Sequence, residues 1–193
     1  MRSGHYHIKE VSTRKELLEV FDLVRESYIN SGYIQKDKGL DVINFCHLFV
    51  PTTKILINVY KKKIISTATF FIDTTFFGLP SDNIYPDKYK QLREEDRKLV
   101  EGGLLAGDQG RPLLHLMSNF FQAAKEIAAD DILLVVNPKH VHFYKNMLYF
   151  EIFGKVKKCP RANNAPGVLV RFNIKDFDPN KVKNKTLQRI FLS

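Results

Sequence analysis

The sequence predicts an α/β fold of the α+β kind, with one mixed central sheet flanked by helices in a single domain. Three observations carry this. Ile132-Leu133-Leu134-Val135-Val136 is an unbroken apolar run rich in β-branched residues, the pattern of a strand buried on both faces. It stops at Asn137-Pro138, where proline forbids further strand pairing but suits the first turn of a helix that the Asn137 side chain is placed to cap. A helix to about Met147 follows, with Val141, Tyr144 and Leu148 on one stripe, and hands over to a strand near Phe150. That order sets a helix N-terminus and the Tyr144 hydroxyl beside the end of a central strand, where open α/β sheets bind ligands.

The remaining elements fall in order around this unit. His5 to Val11 alternates Tyr6 and Ile8 with polar neighbours and reads as a half-buried first strand. Thr13 with Glu16 makes a capping-box pattern ahead of an amphipathic helix carrying Leu17, Val20, Phe21, Val24 and Tyr28, which stops near Ser31-Gly32. Tyr33 to Val50 has no clear period. Lys54 to Tyr60 and Ile64 to Phe71 are strands joined by a tight basic hairpin, Lys61-Lys62-Lys63. Ile72 to Pro86 is an irregular excursion, and Asp87 to Glu95 a short helix. Arg97 to Ala106 is the second central strand. Its Gly102-Gly103 pair marks a bulge or the close approach of a ligand. A long helix from about Pro112 to Ala129 leads into the Ile132 strand, so the two strands are parallel neighbours able to part. A strand to about Lys158, a loop from Arg161 to Pro166 and a strand from Val168 to Ile174 complete the domain, residues 1–174. Residues 175–193 read as a basic tail, a surface helix or frayed end.

A chain of 193 residues is long enough for one well-buried core and short for two. No apolar run approaches a membrane span, and the N-terminus lacks the hydrophobic region of a signal peptide, so a cytoplasmic protein is expected. Cys46 and Cys159 are the two cysteines, far apart, and are expected as reduced thiols. His5 and His7 share a strand face, but no third ligand is evident, and no metal is expected. The net charge of +9 favours an acidic partner, with basic clusters at Lys61-Lys62-Lys63 and at Lys155, Lys157, Lys158 and Arg161. Nucleic acid, anionic membrane and an acidic carrier protein all satisfy that charge, and so does a merely solvated face.

Phe143-Tyr144-Lys145-Asn146-Met147-Leu148-Tyr149-Phe150 resembles the FYxxLGF-like signature of the GNAT N-acyltransferase fold, with Tyr149 in place of the usual glycine. The runs Val136-Asn137-Pro138-Lys139-His140 and Arg161 through Arg171, together with Pro51-Thr52-Thr53, resemble the long-chain N-acyl amino acid synthases, and the likeness covers most of the chain. This resemblance implies transfer of a fatty acyl group from carrier-protein phosphopantetheine to the α-amine of an amino acid, aromatic ones included. It also places a glutamate, here Glu101, next to the reacting centre as base. Gly103 and Leu104 stand where the related homoserine-lactone synthases show a serine and an arginine, which sets acceptor recognition apart from theirs.

Acyl transfer from a thioester needs a neutral amine, donors for the tetrahedral oxyanion and a proton for the departing thiolate. Backbone N–H groups of Leu104, Leu105 and Ala106, with Asn137 beside them, are the candidate donors, and Tyr144 is the candidate acid. The alternatives are a solvated strand carboxylate for Glu101 and a core aromatic for Tyr144. Coenzyme A users of this fold cradle pyrophosphate on a glycine-rich turn at the start of the long helix. Here that turn is Gly107-Asp108-Gln109-Gly110-Arg111-Pro112, in which Asp108 repels phosphate and Pro112 lacks an N–H. An acyl carrier protein is therefore the favoured donor, with Arg111, Lys155, Lys157 and Lys158 as its candidate contacts, and no cofactor is expected to be tightly bound. Two rivals remain: a short-chain acetyltransferase using acyl-CoA, and a non-catalytic basic binding module. Helix amphipathicity explains the basic and aromatic residues near Phe143 without nucleic acid, which is not expected as a partner.

Overall fold

The computed structural model describes residues 7–36, 45–107 and 110–192. The expected contributions of His5, Tyr6, Asp108 and Gln109 lie outside these. Eight strands and six helices alternate among the described residues: β1 (His7–Glu10), α1 (Arg14–Asn30), α2 (Phe45–Leu48), β2 (Lys54–Tyr60), β3 (Lys63–Ile72), α3 (Pro86–Glu94), β4 (Leu99–Gly107), α4 (Arg111–Glu126), β5 (Asp131–Val136), α5 (Val141–Met147), β6 (Glu151–Ile152), β7 (Lys157–Cys159), β8 (Ala165–Asn173) and α6 (Lys185–Leu192). The sheet order is β1-β2-β3-β4-β5-β8-β6, with β7 paired to β8. Every pairing is antiparallel except β4 with β5.

Local chemistry explains the element ends. The Thr13 hydroxyl accepts from the Glu16 N–H at 3.2 Å, and the Glu16 carboxylate reaches back to the Ser12 N–H at 3.0 Å, so the box closes one residue further out than its usual form. Lys61 and Lys62 take φ of 48° and 65°, the left-handed pair that a two-residue hairpin requires for its twist. Asn137 accepts from the Lys139 N–H at 3.1 Å and caps a 3₁₀ turn, Pro138–His140, that runs straight into α5.

Strand alternation sorts the core onto two faces. Val100 and Phe70 meet α4 through Leu116 and Phe120, whereas Leu99 and Phe71 pack with Tyr85, Tyr89 and Leu92 around α3. On that second face, Ile57, Leu104 and Ala106 cover Val20 and Val24 of α1.

Of the two expectations for the end of the chain, a surface helix or a frayed tail, the structure has the helix, and it packs more deeply than a surface element. α6 buries Leu187, Ile190 and Phe191 against the α4 face, where the Phe191 ring stacks on Phe172 at 5.5 Å. Burial of side chains this size contributes roughly 1.5–3 kcal/mol each. Residues beyond 174 therefore complete the core, although their polar face is solvated. No helix among the described residues is long and apolar enough to cross a membrane.

Candidate active site

The parallel seam closes for only part of its length. β4 and β5 pair from Leu99 opposite Asp131 to Gly102 opposite Leu134, and no further. Beyond that row β4 stays with β3 as far as Gly107 opposite Ser66, and β5 stays with β8 as far as Val136 opposite Val168. The cause is a bulge. Leu104 and Leu105 together face Ala68, between the pairs Gly103–Thr69 and Ala106–Thr67, and Leu104 adopts φ of 48°. An inserted residue bends its strand and raises its twist, which carries the end of β4 away from β5.

A cavity of about 530 Å³ occupies the opening. β4 supplies Gly102 to Ala106, β5 supplies Leu134 to Val136, and the N-cap and first turn of α4 contribute Gly110 and Leu113. Ser27 and Tyr28 come from the last turn of α1 and Ser31 from its C-cap, and Cys159 with Pro166 and Gly167 from the β7–β8 hairpin. The wall is thus mainly aliphatic with a few hydroxyl groups, suited to an extended apolar ligand with one polar end.

Tyr144 sits in this cavity, 5% exposed, with its ring edge-to-face with Phe143 and Phe150 at 5.5 and 5.6 Å. Burial, reinforced by Tyr28, holds its phenol far above the ordinary range, so it is protonated and able to donate. Burial likewise pushes Tyr28 up to about 12, with Tyr33 adding to the shift. Tyr33 packs edge-on to Tyr28 at 5.7 Å and lies beneath the Lys139 ammonium, 5.6 Å from its ring centre. This bridges α1 to the turn after β5 across the cavity mouth.

Leu104, Leu105 and Ala106 run along the wall as the bulge requires. Asn137 is there too, with its side-chain oxygen committed to the cap of the 3₁₀ turn.

Glu101 is elsewhere. Strand alternation turns it toward α3, where its carboxylate accepts from the Ser81 N–H at 3.1 Å, the Tyr89 hydroxyl at 2.7 Å and the Ser81 hydroxyl. Burial pushes this carboxyl up to about 7, with the Ser81 and Tyr89 bonds pulling the other way. Glu101 does not line the cavity, and both oxygens are occupied, which corrects its expected place facing the reacting centre.

The basic residues are not gathered at the cavity either. Lys155 and Lys158 are exposed, and Lys157 donates to the Ile84 carbonyl at 2.7 Å while lying over the Tyr85 ring, on the α3 side of the sheet. Arg111 opens α4, and its side chain lies outside the described residues.

Sequence reasoning missed Tyr28, read only as part of a core stripe, and Cys159. The position of Tyr28 in the last turn of α1, level with the ends of the strands, was the available signal.

A family model described as "N-acyl amino acid synthase FeeM" matches residues 19–173. The chain belongs to that family. It is an acyltransferase on the GNAT fold. Among solved structures it is similar to FeeM, an N-acyl amino acid synthase from uncultured soil microbes, with a TM-score of 0.80 and 22% identity over 90% of this chain and 93% of that one. It is also similar to an acyl-CoA N-acyltransferase from Pseudomonas aeruginosa, with a TM-score of 0.55 and 20% identity over 88% and 99% of the two chains. A GNAT family acetyltransferase from Brucella melitensis, in complex with acetyl-CoA, gives a TM-score of 0.55 and 10% identity over 88% of each chain. No curated protein sequence matches significantly.

Proposed function

We propose that this chain moves a long-chain fatty acyl group from the phosphopantetheine of an acyl carrier protein to the α-amine of an amino acid. The observation that carries the reading is the largely aliphatic cavity opening directly from the parted ends of β4 and β5. A slender thioester arm fits between two strands, and an acyl chain is stabilised by the leucine and valine side chains around it. The family's synthase activity supports the same product class.

The choice of carrier over free coenzyme A is supported by the start of α4. Its N-cap is Gly110 and Pro112 follows within the first turn, so one of the N–H donors that a nucleotide pyrophosphate would use is missing. A carrier presents no nucleotide and loses nothing there, and its acidic surface is drawn to a chain of net charge +9. Arg111, Lys155 and Lys158 are the proposed contacts, while Lys157 is already partly engaged with Ile84.

In the reaction, backbone N–H groups of the Leu104 to Ala106 bulge stabilise the oxyanion, for which one donor is typically worth about 3–4 kcal/mol. Tyr144 protonates the leaving thiolate. Glu101 ties the excursion around Ser81 to the strand beneath the opening. The test is a matched assay of acyl carrier protein and coenzyme A, each loaded with long and short acyl groups, against a mixture of amino acids, with products read by mass spectrometry. The expected result is an N-acyl amino acid formed faster from long-chain acyl carrier protein. Product from acetyl-coenzyme A alone would replace this reading with a short-chain acetyltransferase.

A further inference from the structure

We propose that the His140 imidazole is the general base for the attacking amine, working with Tyr144 as the acid four residues on along the same helical run. The inference rests on the acyl-transfer reading and names the group that reading lacks, since Glu101 faces away. His140 ends the 3₁₀ turn Pro138–His140, which continues without a break into α5, so positions 140 and 144 lie one above the other. Both line the cavity. Tyr144 is buried in its wall, and His140 is solvent-exposed at its edge. The His140 backbone N–H donates to the Asn137 carbonyl at 2.8 Å, which fixes the turn on the end of β5.

Elimination supports the assignment. The other titratable groups lining the cavity are Tyr28, Tyr33, Tyr144 and Cys159. Burial pushes Tyr28 up to about 12, raises Tyr144 further and raises the Cys159 thiol, so each of these three is protonated at neutral pH and has no lone pair of useful basicity. Tyr33 is a phenol under the Lys139 ammonium. His140 is displaced the opposite way: partial desolvation of its ring at the cavity edge, and then the Lys139 charge, hold it below the ordinary 6.5, so its imidazole is neutral and accepts protons at neutral pH.

The step balances without a further reactant. The amine nitrogen attacks the thioester carbonyl, which forms the C–N bond and leaves the carbonyl oxygen as the oxyanion, and collapse of this tetrahedral intermediate restores the C=O bond and breaks the C–S bond. The nitrogen's surplus proton passes to His140, and the thiolate takes the Tyr144 proton. The resulting imidazolium and phenolate, one turn apart, return to neutral by passing a proton from one to the other through solvent, so the net transfer is one proton from nitrogen to sulfur.

The test is steady-state kinetics of full-length His140→Ala and His140→Gln, with the donor and amino acid that the wild type uses. The expected kcat at neutral pH is about 100-fold lower, with KM for both substrates altered by less than about threefold. The wild-type profile should fall on the acidic side below the ordinary histidine value of 6.5, and that limb should vanish in both variants. Added imidazole should recover part of the His140→Ala rate. A kcat close to wild type overturns the proposal. So does a lowered kcat with the acidic limb retained, which is what a residue merely shaping the cavity would give. His140→Gln keeps the side chain's bulk and serves if the alanine variant loses its fold. A wild type inactive with every thioester sinks the acyl-transfer reading itself, whereas an active wild type with an unimpaired His140→Ala sinks only the base.

Discussion

The seam between β4 and β5 is two regions with opposite designs. In the lower half, four rows from Leu99–Asp131 to Gly102–Leu134 are zipped. Ion pairs clamp their foot. Asp131, fully buried, takes Arg97 on one side and Arg171 on the other, the latter at 2.7 Å, and Arg97 also donates to Asn173 at 2.9 Å. In the upper half the two strands share no rows, and the walls are apolar side chains and backbone. The contrast teaches that the opening does not come from a weak seam. It comes from one residue added to β4 at Leu104–Leu105, and the ion pairs sit at the opposite end of the seam.

Removing the clamp should have the largest effect. Asp131→Ala leaves two largely buried guanidinium groups without their partner, and breaking such a pair typically costs about 3–5 kcal/mol. Urea unfolding should show this as a lower midpoint with little change in slope. A loss no greater than that of an exposed pair would mean that the paired rows hold without their ions.

Next in size is a pH effect from the third zipped row. Glu101 is pushed from 4.5 up to about 7, mainly by burial. As pH rises, the unfolded chain gives up this proton first while the folded chain keeps it, so stability falls through the window from 4.5 to about 7. The shift corresponds to roughly 3 kcal/mol. Glu101→Gln should flatten the wild-type fall in melting temperature across that window. An equal slope in both proteins would assign the fall to other groups.

This residue also marks how far the sequence could be read. The glycine pair and the Ile132 to Val136 run, with Asn137-Pro138 after it, locate the opening, because a bulge and a strand end are local events written in adjacent residues. Period-2 alternation further sets Glu101 on the face opposite Gly102. Which face the cavity wall follows depends on where α1, α3 and the excursion through Ser81 pack, and those contacts span long stretches of chain. The Arg97–Asp131–Arg171 clamp was illegible for the same reason: its partners are 34 and 40 residues apart. The tail misled because a lysine-rich surface masks an apolar stripe of Leu187, Ile190 and Phe191, which only the aromatic cluster around Phe172 explains.

In the upper half the effect should move from stability to rate. Tyr144→Phe keeps the ring contacts with Phe143 and Phe150 and removes only the hydroxyl. We expect kcat to fall about 100-fold with a melting temperature near wild type. A variant of full activity would return Tyr144 to the core aromatics.

The smallest effect compares neighbouring glycines on the border. A methyl at Gly102, in the last zipped row, would lie 2.4 Å from Leu134 Cδ2 and 3.0 Å from Phe120 Cζ, so two side chains packed against each other must shift. At Gly103, the first unpaired position, it would meet Phe71 Cε2 alone at 2.8 Å. Gly102→Ala should therefore cost about 2 kcal/mol and Gly103→Ala about 1 kcal/mol, within the range for modest overpacking. Leu134 also lines the cavity, so Gly102→Ala should narrow it and slow long acyl donors more than short ones, whereas Gly103→Ala, whose backbone lines the cavity but whose methyl is aimed at Phe71, should change that preference less. Equal changes in chain-length preference would place the border between closed and open rows elsewhere than at Gly102.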